Sequence, residues 1–190
     1  MSPSLSALGA SILALLCERP MHPYEMYRLM MERYEDRIVK VRPGSLYHTV
    51  DRMAAASFVE AVGTDRCGGR PERTTYRITA AGREAMSGWI TAVLRAPINE
   101  YPRFPVALGE AHNLPRNVVI ELLGSRIAVL EAQLAEGEGL VADAADRVPE
   151  PHLLDAYYLF DMTRAELSWL RRLVERLDTK ELTWPTEDRA

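Results

Sequence analysis

Apolar residues in the first half of the chain recur at helical spacing in several separate stretches. Leu8, Ile12, Leu15 and Leu16 stand three and four apart behind a capping Ser4 or Ser6, and Pro20 ends that helix. A second amphipathic helix is expected from Pro23, with Tyr24, Tyr27, Met30, Met31 and Tyr34 at helical intervals. The stretch RIVKVR follows and carries Arg37, Lys40 and Arg42. Pro43 then suits the first position of a third helix, where its missing N–H costs nothing. Around the wheel of residues 45–55, Leu46, Val50 and Met53 share one narrow arc. His48, Asp51, Arg52 and Ala55 share the opposite one, with Ser45 at its edge and Tyr47 on its flank. That outward face is short, polar and rich in hydrogen-bonding groups. Such a face can meet base edges or phosphates in a major groove, although taken alone a solvated helix face is the commoner reading.

The period then changes. Phe58 to Val62 and Thr74 to Thr79 alternate apolar and polar residues, which predicts two strands of a hairpin. The loop between them, GTDRCGGRPER, holds three glycines and Arg66, Arg70 and Arg73, a composition suited to phosphate or minor-groove contacts. Thr79 is placed to cap a fourth helix with Ala85, Met86, Trp89, Ile90 and Val93 on one side. Three helices, a hairpin and a helix make a winged helix-turn-helix.

The second half is helical in its pattern, so the fold class is mainly α (α+β). APINEYPRFP, residues 96–105, reads as a rigid connector, and VALGEAH as a short helix. From Pro115, the residues Ile120, Leu123, Ile127, Leu130 and Leu134 repeat at three and four, a heptad seam that Gly137 and Gly139 are expected to weaken. A last helix from about Leu153 carries Ala156, Phe160, Thr163, Leu167, Leu170, Val174 and Leu177 at the same spacing. Two such stripes cannot stay bare; they pack on each other within a chain, across a two-fold axis, or both. The expected organisation is a winged helix-turn-helix over 1–95, a connector over 96–114, a helical association domain over 115–180 and a tail over 181–190.

The net charge of −4 argues against a nucleic-acid partner until it is divided. Residues 1–95 hold 13 Lys/Arg against 10 Asp/Glu, and residues 96–190 hold 10 against 17. A mildly basic half is thus joined to an acidic half that phosphates would repel, which helps aim the basic face at DNA. No apolar run reaches membrane-spanning length, the first ten residues lack the basic opening of a secretory signal, and the expected compartment is the cytosol. Cys17 and Cys67 form no CxxC pair, and the four histidines have no metal-ligand spacing. There is no GxSxG and no phosphate-binding glycine loop, so neither a cofactor, a metal nor catalysis is expected.

Three stretches carry a resemblance. RPMHPYEMYRLM, VRPGSLYHTVDRM and GGRPERTTYRITAAGREAM are similar, in order and spacing, to the signature motifs of the PadR family of transcriptional regulators. The resemblance covers roughly residues 5–95 and extends less specifically to the long members with a virulence-activator-like helical region. It implies a homodimeric DNA-binding regulator, usually a repressor, with Ser45, Tyr47, Gly69, Arg70 and Pro71 at the duplex. Pro23 stands where that family usually has glycine, and His48 where it usually has proline, which adds a polar group to the reading face.

The candidate DNA contacts are therefore Tyr24, Lys40, Arg42, Ser45, Tyr47, His48, Arg52, Arg70 and Arg73. The resemblance also implies dimerisation through the helical region, with Ile120, Leu123, Ile127, Leu130, Leu134, Leu167, Leu170 and Val174 as candidates. Trp89, Tyr157 and Trp169 are candidates to bind a small aromatic effector, although core or interface packing is the more frequent explanation for each. The competing reading is a winged fold used for protein–protein assembly, with DNA binding secondary or lost.

Overall fold

The computed structural model describes residues 5–65 and 73–185, and the chain divides into two compact units, Met1–Asn99 and Glu100–Ala190. In the first unit, helix α1 spans Ala7–Glu18, and the Ser6 hydroxyl caps it by accepting the Gly9 N–H at 3.1 Å. Helix α2 (Pro23–Glu32) and helix α3 (Pro43–Ala55) both open on proline. Strands β1 (Val59–Asp65) and β2 (Arg73–Ile78) form an antiparallel hairpin whose register runs from Val59 opposite Ile78 to Asp65 opposite Arg73. The pairing reaches further into the expected loop than apolar alternation indicates, past an irregularity between Ala61 and Gly63. Met21 adds a one-residue bridge to β2, exchanging two 3.0 Å backbone hydrogen bonds with Tyr76. Helix α4 (Ala80–Arg95) closes the unit.

The core of this unit is built from Leu8, Ile12, Leu13, Leu15 and Leu16 of α1, Met26 and Met30 of α2, Leu46, Val50 and Met53 of α3, and Val59 and Ile78 of the hairpin. The inward faces of α1 and α3 are those the spacing predicts. Helix α2 is turned relative to the expectation: Met26 and Met30 are buried, Tyr27 is half-buried, and Tyr24, Met31 and Tyr34 face water. A tyrosine counted as apolar shifts the apparent stripe, but its hydroxyl favours the wet side, and the two methionines set the phase. Tyr34 lies past the helix end in the left-handed region at φ 58°.

Two junctions hold the hairpin to the helices. Helix α3 ends in a Schellman turn: the Phe58 N–H donates to the Met53 carbonyl, the Ser57 N–H donates to the Ala54 carbonyl, and Ser57 takes φ 60°. Helix α4 starts on Thr79, whose hydroxyl accepts the Gly82 N–H at 3.0 Å and donates to the Ser57 carbonyl at 2.7 Å. Gly82 is buried there, and a Cβ at this position would lie 2.2 Å from the Phe58 carbonyl oxygen. The far half of α4 is less covered than its pattern suggests. Ala85, Met86 and Trp89 are half-buried, while Ile90, Val93 and Leu94 are exposed.

The second unit is a helical hairpin with a short collar. Helix α5 (Arg103–Gly109) begins within the stretch expected as connector, with Pro105 in its first turn, where no N–H is required. Helix α6 runs unbroken over Arg116–Ala144 and helix α7 over Leu154–Asp178. Gly137 and Gly139 do not interrupt α6. Glycine costs about 1 kcal/mol relative to alanine in a helix, less than tertiary packing returns over an element of this length.

The two heptad stripes face each other within this one chain. Leu123, Leu167, Leu170 and Leu177 are buried, and Ile120, Ile127, Leu130, Leu134 and Val174 are half-buried. Phe104, Ala111, Leu182 and Trp184 also pack on the core of Val119, Leu123, Leu170 and Leu177, so the expected connector and the start of the tail both contribute to this unit. Trp184 donates its indole N–H to the Leu114 carbonyl at 2.8 Å. Buried Arg116 donates to the Leu177 carbonyl near the end of α7 at 3.3 Å, and Arg126 stacks 3.7 Å over Phe104 while binding Glu166. Among the described residues no helix is long and apolar enough to cross a membrane.

Candidate nucleic-acid interface

Helix α3 alternates sharply between a dry face and a wet one. Leu46, Thr49, Val50 and Met53 are buried, whereas Ser45, Tyr47, His48, Asp51, Arg52 and Ala55 are exposed. Thr49 is the polar exception inside, and its hydroxyl is satisfied by donating to the Ser45 carbonyl at 2.7 Å. The wet face therefore lies outside the hydrophobic core of its own domain. Tyr47 projects with 41% of its surface open. Arg42 is the N-cap residue of α3 and does not use its side chain for capping; it and Lys40 are exposed.

The ionic environment separates two kinds of basic residue in this unit. Arg19 binds Glu25 at 2.7 Å, Arg33 binds Glu18 at 2.5 Å, and Arg77 binds Glu60 across the hairpin at 2.8 Å. The Arg19 guanidinium holds the Glu25 carboxyl below the usual carboxylate range, chiefly by hydrogen bonding. Lys40, Arg42 and Arg52 are different: among the described residues none of them forms an ion pair. Three cations without an ion pair among the described residues thus lie on and just before the helix whose outward face is polar and exposed. Arg52 also borders a cleft of about 560 Å³ lined by Leu5, Gly9, Met53, Ala56 and Phe58.

Tyr24 joins this region as the second residue of α2, with 59% of its surface exposed. Before it, His22 caps α2, its Nδ1 accepting the Tyr24 N–H at 3.0 Å. The His22 ring also meets the Tyr47 ring edge-on, with centroids 6.4 Å apart and planes at 74°. Sequence reasoning passes over His22 as an isolated histidine. The available signal was its place immediately before a proline that opens a helix, which is a capping position. On the wing, Arg73 ends the described part of β2 opposite Asp65, but its side chain lies outside what is described, as do Arg66, Gly69, Arg70 and Pro71.

The three candidate effector residues are not gathered within either unit. Trp89 is half-buried on α4 in the first unit. In the second, Tyr157 and Trp169 are partly exposed on α7, twelve residues and therefore about 18 Å apart along the helix. Tyr157 lines a cleft of about 390 Å³ with Val141, Ala142, Phe160, Glu138 and Arg164; Trp169 does not.

A bridged hairpin set on a three-helix core, with an exposed polar face on the third helix, defines the winged helix-turn-helix class. Residues 12–88 match the model of the transcriptional regulator PadR-like family, and the chain carries the domain of that family. No curated protein sequence matches the chain. Among solved structures, Bacillus subtilis PadR in complex with operator DNA superposes with a TM-score of 0.74 at 18% identity, covering 90% of this chain and 99% of that one. The same protein in complex with p-coumaric acid gives 0.72 at 17% identity, covering 91% and 99%. The Vibrio cholerae virulence activator AphA gives 0.69 at 17% identity, covering 92% and 99%. At these identities the likeness establishes a shared fold along nearly the whole chain.

Proposed function

We propose that the protein is a cytosolic, sequence-specific DNA-binding repressor that acts as a homodimer on an inverted-repeat operator. The carrying observation is the outward face of α3, where Ser45, Tyr47, His48 and Arg52 are exposed and lie outside the hydrophobic core, and where the neighbouring cations have no ionic partner among the described residues. In this reading Tyr47, His48 and Arg52 meet bases or phosphates. Tyr24, Lys40, Arg42, Arg70 and Arg73 hold the flanking backbone or the minor groove. The crystal structure of the Bacillus subtilis relative with operator DNA supports the use of this fold for that purpose.

Pairing of two copies supplies what one module lacks, since a single domain buries only about 600–1,000 Å² on DNA. The α6–α7 seam is largely used up inside the chain. What α7 leaves open is a second row, Leu154, Tyr158, Met162 and Trp169, all exposed and confined to one arc of the helix. With exposed Leu122 and Val129 on α6, this row is the surface we assign to the second copy. An aromatic effector is a further part of the reading. It is supported by the p-coumaric acid complex of the relative and by the cleft beside Tyr157.

Selection of bound sites from random duplex DNA tests the proposal directly. The expected result is an enriched inverted repeat with half-sites about 34–36 Å apart, bound with an affinity that falls steeply with salt. Failure to enrich any sequence, with flat salt dependence, would remove DNA reading and leave assembly with another protein as the use of the winged fold.

A further inference from the structure

His22 touches both helices of the reading motif. Its carbonyl accepts the N–H groups of Glu25 at 2.9 Å and Met26 at 3.1 Å, its Nδ1 accepts that of Tyr24 at 3.0 Å, and Pro23 has none to offer. Every backbone donor of the first turn of α2 is thus already taken by one residue. Accepting at Nδ1 requires that nitrogen to be unprotonated, which in the neutral ring leaves the proton on Nε2. The cap consequently fixes both the tautomer and the orientation of the imidazole. Held in that orientation, the ring presents an edge-on contact to Tyr47 of α3, at 6.4 Å between centroids and 74° between planes. The separation and angle lie within the range of favourable aromatic pairs.

Tyr47 is the side chain that gains from this. It is exposed, and its hydroxyl has no partner among the described residues. A free tyrosine on a helix surface samples more than one rotamer, and ordering it on binding costs affinity. We propose that His22 is a positioning residue for DNA recognition: its capped imidazole starts α2 and holds the Tyr47 ring in the orientation that meets a base pair. The inference rests on the reading of α3 as the recognition helix. It also explains why a histidine stands where serine, threonine, asparagine or aspartate would cap as well. Those residues satisfy the Tyr24 N–H, but none of them carries a ring to set against Tyr47.

Replacing His22 by Asn separates the two duties, because asparagine keeps a capping oxygen and loses the ring. The measurement is the affinity of the full-length protein for its selected operator relative to a scrambled duplex, in the native chain, His22→Asn, Tyr47→Ala and the double variant. His22→Asn is expected to melt at the native temperature and to lose discrimination about tenfold, the scale of one base contact. The double variant is expected to be no worse than Tyr47→Ala alone, because the histidine acts through the tyrosine. His22→Ala, which loses the cap as well, should melt lower, and His22→Asn should restore that loss. Native discrimination in His22→Asn, or losses that multiply in the double variant, would overturn the proposal. Should the native chain prefer no duplex at all, the functional reading fails instead. The positioning is then decided without DNA by the aromatic NMR signals of Tyr47, which must shift or broaden in His22→Asn; unchanged signals would refute it.

Discussion

Arg52 and His48 share the wet side of α3 but offer DNA different chemistry. With no ionic partner among the described residues, the Arg52 guanidinium acts first through charge. Arg52→Ala is therefore expected to weaken binding to all duplexes alike and to flatten the slope of log affinity against log salt by about one unit in a fluorescence-anisotropy titration. An imidazole offers one donor and one acceptor with directional geometry, so His48→Ala should leave the salt slope close to native and change which sequence is enriched in site selection. Gly82 makes a stability prediction at the same scale. The 2.2 Å separation between a would-be Cβ and the Phe58 carbonyl oxygen involves backbone, which cannot swing aside as a side-chain tip can. Gly82→Ala should cost about 1–3 kcal/mol in a urea melt, despite the better helix propensity of alanine.

Elements differ in how far the sequence alone defines them. The inward arc of α3 was legible because Leu46, Val50 and Met53 are unambiguously apolar and share one side of the wheel. The phase of α2 is not legible in its periodicity, because tyrosines count as apolar yet stand in water, while Met26 and Met30 form the buried side. The passage of α6 through two glycines was not legible either, since what sustains it is a partner helix distant in sequence. The outward polar face of α3 could be read from the wheel, whereas the capping and buttressing role of His22 depends on a contact between two helices that no local pattern encodes.

Two predictions belong to elements. Leu170 is fully buried between α6 and α7, and Leu170→Ala should destabilise the second unit by about 2–5 kcal/mol, seen as an earlier loss of helical circular dichroism. Ser57 occupies the left-handed position after α3, where a side chain costs about 1–2 kcal/mol and glycine about 0.5–1 kcal/mol of extra unfolded-state entropy. Ser57→Gly should thus raise stability, by up to about 1 kcal/mol, in equilibrium denaturation.

At the scale of the molecule, the two ends of the chain carry opposite electrostatic character and one end carries a bare apolar row. Met162 is exposed in the middle of that row and contributes nothing to the α6–α7 core, so charging it should spare the hairpin and strike only association. Met162→Glu is expected to keep the native circular dichroism spectrum, to run as a monomer in light scattering at micromolar concentration, and to bind the operator far more weakly because two half-sites are no longer engaged together. A dimer of native affinity in this variant would move the interface elsewhere.

The missing side chain at position 82 has a mechanical corollary. With no atoms to spare between the start of α4 and the backbone that leads into β1, and with Thr79 bonded to both sides of the junction, the helix and the base of the hairpin cannot slide past one another. The first turn of α4 and the base of the hairpin therefore shift together, so that tilting the start of the helix carries the roots of β1 and β2 with it.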